Sequence, residues 1–397
     1  MPELLTIAAA LAHVLERVRP LGGEAVVLAE VAGRVLAEPA RARTDLPPFP
    51  SSAMDGYALR AADTPGTLPV VFRIAAGRPT PGRLKAGEAM AIATGGVVPD
   101  GADAVVPIEA VAEHDNSVEV PSAVPCGENI RPRAGDACAG DEVVPAGTRL
   151  GPAQIGALAA AGVVEVVCGG RPRVAVLTTG TELREPGAEL RPGEIYESNG
   201  AMLAAGLLSA GATVERLALV EDDPEAHRAA LAKGLAADVL VTSGGVSVGP
   251  HDLVRRVERE LGVEEVFWGV AMRPGKPLSF GVRDGTLVFG LPGNPVSSLV
   301  GFELFVRPAV SALQGAAEPG PRFEHGVLGA PVRRTPARDE LARARSEGGE
   351  DATVLSLVTG QESHMIVRAA AADALVLVPR GDGELAAGSS VRYLRLL

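Results

Sequence analysis

Three short stretches combine glycine with groups able to hold an oxyanion: TTGTEL (178–183), TSGGVSVGPHD (242–252) and LPGNPVSS (291–298). Glycine lets backbone N–H groups approach an anion closely, and a helix N-terminus adds partial positive charge. In the third stretch, Asn294 is expected to cap a helix with Pro295 in its first turn, followed by Ser297 and Ser298. The other two carry a carboxylate each, Glu182 and Asp252. A carboxylate repels a phosphate unless a hard cation lies between them, and Mg²⁺ is commonly held by one or two carboxylates plus phosphate oxygens. Each acid also has a plainer reading, Glu182 as a helix-start residue and Asp252 as a helix cap. A fourth stretch, MRPGKP (272–277), sets Arg273 and Lys276 beside stiff prolines. Lysine is scarce: Lys85, Lys233 and Lys276 are the only ones among 37 basic residues. Keeping a lysine between Gly275 and Pro277 suits a need for a compact ammonium.

These stretches fall where the sequence alternates strand and helix. RVAVLTTG, DVLVTSGG and TLVFGLPGN read as the near-continuous apolar strands of a parallel sheet. Four helices follow from capping and periodicity: SNGAMLAAGLLSAG (Ser198 or Asn199 as cap), DPEAHRAALAKGLA (Asp222 or Asp223), DLVRRVERELG and PVSSLVGFELFVRPAV. This alternation predicts a three-layer α/β domain with a mostly parallel sheet, in which ligands collect beyond the carboxyl ends of the strands. Elsewhere the pattern differs. The first forty residues read as helical, as does PAGTRLGPAQIGALAAAG (145–162). Between them, short Val/Ile runs broken by Gly and Pro predict a small β-rich domain. From 319 onward, β alternation predicts a small barrel or sandwich, with the charged stretch 335–351 as a solvated connection.

Composition narrows the classes. The 397 residues are 47% apolar and 22% charged, which excludes a disordered chain. A net charge of −12 argues against a nucleic-acid partner, and one Trp, three Tyr and eight Phe are too few for base-stacking platforms. Cys126, Cys138 and Cys168 show no CxxC spacing, so neither a disulfide framework nor a zinc site is expected, and all three read as small buried apolar side chains. The N-terminus lacks the pattern of a signal peptide, and no uninterrupted apolar run approaches ~18 residues. The expectation is a soluble, cytoplasmic, multidomain protein with no membrane partner.

The segments PPFPSSAMDGYA, AIATGGVVPDGADAVVP, NIRPRAGD, TTGTEL, SGGVSVGPHD, MRPGKP, FGLPGNPVSS and GQESH occur in this order along nearly the whole chain. Together they resemble the molybdopterin molybdenumtransferases, the MoeA family, related to the E domains of gephyrin and of its plant counterpart. The resemblance implies a discontinuous N-terminal helical/linker domain (1–43 and 146–170) and a β-rich inserted domain (44–145). It further implies a MogA-like α/β molybdopterin-binding domain (171–317) and a C-terminal β-barrel (318–397). The implied activity releases molybdopterin from its adenylylated form, inserts molybdenum from molybdate and frees AMP, using Mg²⁺ or another divalent cation.

Residue by residue, the resemblance puts Asp55, Thr94, Arg131 and Asp136 in the cleft, Glu182 and Asp252 at the metal and phosphates, and Asp222 beside the nucleotide. Asp55, Thr94, Asp136, Glu182 and Asp252 carry the catalytic roles. Ser247, Arg273, Lys276, Arg343 and Ser363 match the molybdate-binding set, and Gly293, Asn294, Pro295 and Ser297 are substrate-binding. ELARARS offers both Arg343 and Arg345 at one position, and Arg273 stands where many relatives carry Lys. A homodimer is implied, with clefts built across its interface. Two other readings stay open: a MogA-like molybdopterin adenylyltransferase, opposed by PSSAMDGYA and the extra domains, and a gephyrin-E-like scaffold, opposed by the shortage of aromatic residues.

Overall fold

The computed structural model describes residues 4–220, 223–245, 253–349 and 351–396. Helix α1 (Ile7–Leu15) starts at Thr6, whose hydroxyl accepts from the Ala9 N–H at 3.1 Å. The expected long helical N-terminus ends there. Gly22 and Gly23 break the pattern, and the β-branched run that follows makes a strand, Gly23–Val27, antiparallel to Glu165–Gly169. Val26, Leu36, Val144, Leu158, Val166 and Cys168 form one core, so segments from both sides of an insertion meet in a single split unit. Its helix α2 (Pro152–Ala160) begins at Gly151 and stops before Gly162, at φ +75°. Helix α1 belongs elsewhere: Ala10, Val14 and Val18 pack with Phe302, Val306 and Val310 of the α/β unit. Cys168 is buried as expected, whereas Cys126 and Cys138 are exposed.

The inserted unit is a six-stranded sheet in the order Ala104–Pro107, Gly56–Leu59, Ala89–Ile92, Gly66–Ile74, Ser117–Val120, Ala112–His114. Alternate residues of its strands feed two small cores. Leu59, Val106 and Val118 lie in one, Ala58, Ile74 and Val105 in the other.

The α/β unit has strands β1 (Arg173–Thr178), β2 (Thr213–Arg216), β3 (Val239–Ser243), β4 (Glu264–Trp268), β5 (Ser279–Arg283) and β6 (Thr286–Leu291). Its helices are α3 (Asn199–Ser209), α4 (Pro224–Gly234), α5 (Leu253–Glu260), α6 (Pro295–Gly301) and α7 (Arg307–Leu313). The sheet order is β2-β1-β3-β6-β5-β4, parallel from β2 to β6 and antiparallel over β5 and β4. Alternation along the strands feeds opposite faces. Val174, Val176, Val239 and Val241 join Leu203 and Leu207 of α3, while Ala175, Leu177 and Leu240 join Leu231 of α4 and Val257 of α5.

Helices α6 and α7 are joined by a π turn, Phe302–Val306. Pro308 has no N–H to offer the Leu304 carbonyl and would crowd it, and a widened turn relieves both problems. The continuous run Pro295–Leu313 is long and apolar enough to cross a membrane by length and composition, yet 78% of it is buried inside the fold. It is a core helix.

Strands β7 (Phe323–Leu328), β8 (Asp339–Gly348), β9 (Thr353–Leu357), β10 (Ala374–Val378) and β11 (Ser390–Arg395) close into a barrel, pairing β8-β9-β7-β11-β10 and back to β8. The charged stretch expected to be a solvated connection is therefore β8, the strand that closes the barrel. Leu341, Ala342, Arg343 and Ala344 are all buried in it.

Close approach fixes one glycine. A Cβ on Gly56 would stand 1.9 Å from the Val106 carbonyl oxygen on the neighbouring strand. Gly56→Ala is therefore expected to cost about 2–4 kcal/mol by pushing those strands apart. Calorimetry should show the inserted unit melting at lower temperature; an unshifted transition would refute the contact.

Candidate functional site

The sheet order makes a crevice. β1 and β3 are neighbours, but β1 hands the chain on to β2 at one edge whereas β6 lies beyond β3. At such a reversal the loops leaving the two strands diverge and open space beyond their carboxyl ends. Backbone hydrogen bonds join these loops. The Thr179 N–H donates to Ser243 O at 3.1 Å, and the Gly244 N–H donates to Leu291 O at 3.1 Å. Gly244 has φ +99°, and a Cβ there would lie 2.6 Å from Thr179 O. Gly293 in turn faces Gly244. The glycines of the three stretches thus bring their backbones side by side.

Asn199 pins this arrangement. Its Nδ2 donates to Ser243 Oγ at 2.8 Å and to Gly293 O at 2.7 Å. Ser243 Oγ lies 3.3 Å from Ser298 Oγ, which donates to Pro292 O. Every residue in this network except Gly293 is buried. The partner Gly293 O can only accept, which fixes the amide orientation and leaves Asn199 Oδ1 buried without a partner among the described residues. Sequence reasoning considered Asn199 only as a helix cap. Neither Ser198 nor Asn199 caps α3 with its side chain, so the role of Asn199 left no signal in the sequence beyond its residue type.

The predicted residues separate into two clusters. In the α/β unit, Glu182 is exposed, and its carboxylate folds back over Gly180, where a Cβ would meet it at 2.7 Å. No hydrogen bond or ion pair engages that carboxylate among the described residues. Asn294 opens α6 without a side-chain cap bond, Pro295 fills the first turn and Ser297 is buried. The MRPGKP loop packs on this helix start: Gly275, at φ +101°, faces Ser297 O. Met272–Arg273 pairs in parallel with Asp339–Glu340 of β8, and the exposed Arg273 guanidinium lies 3.8 Å from Glu340. The GQESH loop arrives from the barrel, with the Val296 N–H donating to Ser363 O at 3.0 Å. Lys276 and Ser363, both half-buried, thus lie on loops that meet the same helix start.

Arg343 differs from expectation. It is 0% exposed, and its guanidinium donates to Met365 O at 2.6 Å, Gly360 O at 2.6 Å and Glu362 O at 3.2 Å. Burial pushes its pKa below the usual guanidinium range. Three backbone carbonyls occupy these donors, so Arg343 shapes the loop that carries Ser363 instead of facing open space. Arg345 on the same strand is exposed.

The second cluster lies in the inserted unit. Asp55 Oδ1 accepts from the Thr94 N–H at 2.7 Å and from its hydroxyl at 3.0 Å. Those two bonds, the backbone one first, hold the Asp55 carboxyl below the usual carboxylate range. Arg131 pairs with Ser51 on the next strand, and the Asp136 N–H donates to Leu46 O. Asp55, Thr94, Arg131 and Asp136 are all exposed. No hydrogen bond or ion pair among the described residues links them to the β1–β3 crevice. Asp222, Ser247 and Asp252 lie outside the described residues. Neighbouring Asp223 caps α4, accepting from the Ala226 N–H at 2.7 Å. Among the described residues no group of three or more His, Cys, Asp or Glu is placed to hold a metal.

Three family models match the chain: "MoeA N-terminal region (domain I and II)" over residues 5–162, "Probable molybdopterin binding domain" over 175–312 and "MoeA C-terminal region (domain IV)" over 325–396. Among curated relatives, molybdopterin molybdenumtransferase 2 of Mycobacterium tuberculosis is 38% identical over 396 residues, covering 96% of each chain. The molybdopterin molybdenumtransferase of Haemophilus influenzae is 33% identical, covering 98% of each. Among solved structures, a molybdopterin biosynthesis MoeA protein from Pyrococcus horikoshii OT3 superposes with a TM-score of 0.87 at 28% identity, covering 99% of this chain and 100% of that one.

The Asp55 geometry has a titration consequence. Because its folded pKa is depressed, Asp55 favours the folded state above its unfolded pKa and loses that contribution as pH falls through the folded value. Thr94→Val removes the hydroxyl bond but keeps the larger backbone one, so the Asp55 pKa should rise only part of the way back. Carboxyl-detected NMR titration reads this directly; an unmoved Asp55 resonance would contradict the contact.

Proposed function

The chain belongs to the molybdopterin molybdenumtransferase family, and from that premise we propose how its two clusters divide the work of molybdenum cofactor biosynthesis. It is a transferase whose substrates are molybdopterin and molybdate. Matches over the full chain to molybdenumtransferases do not favour the adenylyltransferase or the scaffold reading. In our reading, adenylylated molybdopterin lays its phosphates against the glycine-lined backbone beyond β1 and β3, with the PGNPVSS start of α6 as a further anion site. Molybdate sits beside Lys276, Arg273 and Ser363, with Ser247 completing its donors. Preorganised donors of this kind hold an oxyanion without reorganising when charge shifts. Arg343 positions the Ser363 loop, and Asp222 attends the nucleotide.

Glu182, whose carboxylate is exposed and unpartnered among the described residues, together with Asp252 fits a Mg²⁺-type cation that also binds phosphate oxygens. When bound, such a cation neutralises phosphate charge and polarises the phosphoanhydride for attack by water. Asp55, Thr94, Arg131 and Asp136 stand exposed beside Phe49 and Met54, which are 38% and 40% exposed. That combination suits docking against the crevice of a second copy in a cytoplasmic homodimer, each cleft drawing on both chains.

The observation that supports this reading most is the contiguity of the glycine stretches, α6 and the MRPGKP and GQESH loops. Lys276→Ala should therefore lower molybdate-dependent turnover by about 10²-fold while leaving the unfolding temperature unchanged. Glu182→Gln should suppress metal-dependent AMP release from adenylylated molybdopterin in a single turnover. Undiminished AMP release in the second variant would remove Glu182 from the metal role, and unchanged molybdate dependence in the first would move the oxyanion elsewhere.

A further inference from the structure

Away from the crevice, a cavity of about 450 Å³ opens where the split unit, α7, the 316–322 linker and the barrel meet. Four arginines line it: Arg149, Arg307, Arg322 and Arg395. Three of them have carboxylate partners. Arg307 reaches Glu303 at 2.6 Å, Arg395 reaches Glu324 at 3.3 Å, and Arg322 lies 3.8 Å from Glu318. Arg149 has none among the described residues. Its guanidinium donates to Gly33 O at 2.6 Å and more loosely to Ser311 Oγ at 3.4 Å. Desolvation, then the fields of Arg307 and Arg322, push its pKa below the usual guanidinium range. This cation is crowded by others of its sign, and an anion in the cavity would relieve that.

The size and walls of the cavity limit what the anion is. The volume falls within the ~300–1,000 Å³ of small-molecule sites and exceeds what a bare oxyanion fills. Pro308, Pro319, Pro321 and Leu394 supply apolar wall, while Glu303, Glu318 and Glu324 oppose a ligand carrying several charges. We propose that this cavity binds a small phosphate monoester with an apolar body, its phosphate held by Arg149 and the Ser311 hydroxyl. The site is independent of the crevice and of the reaction proposed there. A ligand bound in it touches the split unit, the α/β unit and the barrel at once, and so favours one relative arrangement of the three.

The test is calorimetric titration of the full chain in phosphate-free buffer with phenyl phosphate and, separately, with inorganic phosphate. Phenyl phosphate should bind at least about tenfold more tightly than the bare ion. Arg149→Gln and Ser311→Ala should each weaken it, the arginine change by about tenfold or more, while Lys276→Ala should bind as the parent does. Using two variants guards against a folding defect in either one. Equal affinity for the two probes, no binding at about 10 mM phenyl phosphate, or retention in Arg149→Gln would each overturn the proposal. Loss in Lys276→Ala alone would assign the binding to the crevice and overturn it as well.

Discussion

The amide of Asn199 ties together segments that lie far apart in sequence. One nitrogen holds the end of β3 through Ser243 and the loop after β6 through Gly293, while the residue itself opens α3. In a buried setting such a network is rigid when satisfied, and each member is costly to remove. The glycines on either side can stay bare of side chains because this network defines the backbone position for them. Gly244, at a positive φ and hard against Thr179 O, sits where a side chain would be strained and would clash. Spending both amide protons on a serine hydroxyl and a backbone carbonyl leaves Asn199 Oδ1 without a partner among the described residues.

The barrel extends that constraint outward. The two residues Met272 and Arg273 leave the α/β unit to pair with β8, and the Ser363 carbonyl returns to accept from the N–H of Val296. Arg343 makes the return possible by gathering Met365, Gly360 and Glu362 carbonyls around one buried cation. Burying a guanidinium is tolerable only when its donors are met, and here backbone oxygens meet them. A residue that looks like a ligand for an inorganic anion is thus a buckle for the loop beside it.

Much of this was legible in the sequence, for identifiable reasons. Apolar strands alternating with capped helices gave away the α/β unit because β1, β3 and β6 are covered on both faces. The glycine stretches marked the crevice because backbone proximity needs glycine, whatever else varies. Strand β8 was misread because buried Arg343 counts as charge in a composition scan, though its carbonyl partners neutralise the cost of burial. Residues 20–40 were misread because Ala, Val, Leu and Glu suit a helix as well as a short strand, and pairing with Glu165–Gly169 across more than a hundred residues decided between them. Asn199 left only the trace of its residue type, since a hydrogen bond between distant loops has no periodicity.

Electrostatics decides how Lys276 would act on an anion in a chain of charge −12. At physiological salt, charges are screened over ~8 Å, so an oxyanion responds to its neighbours and hardly at all to the total. Of the two cations on the MRPGKP loop, Arg273 is exposed and already faces Glu340 at 3.8 Å. Lys276 has no ion-pair partner among the described residues and is half-buried, where screening is weaker. The field available to an anion at the start of α6 therefore comes mainly from Lys276, reinforced by that helix terminus, with Arg273 contributing what Glu340 leaves. That ordering follows from partners and burial alone.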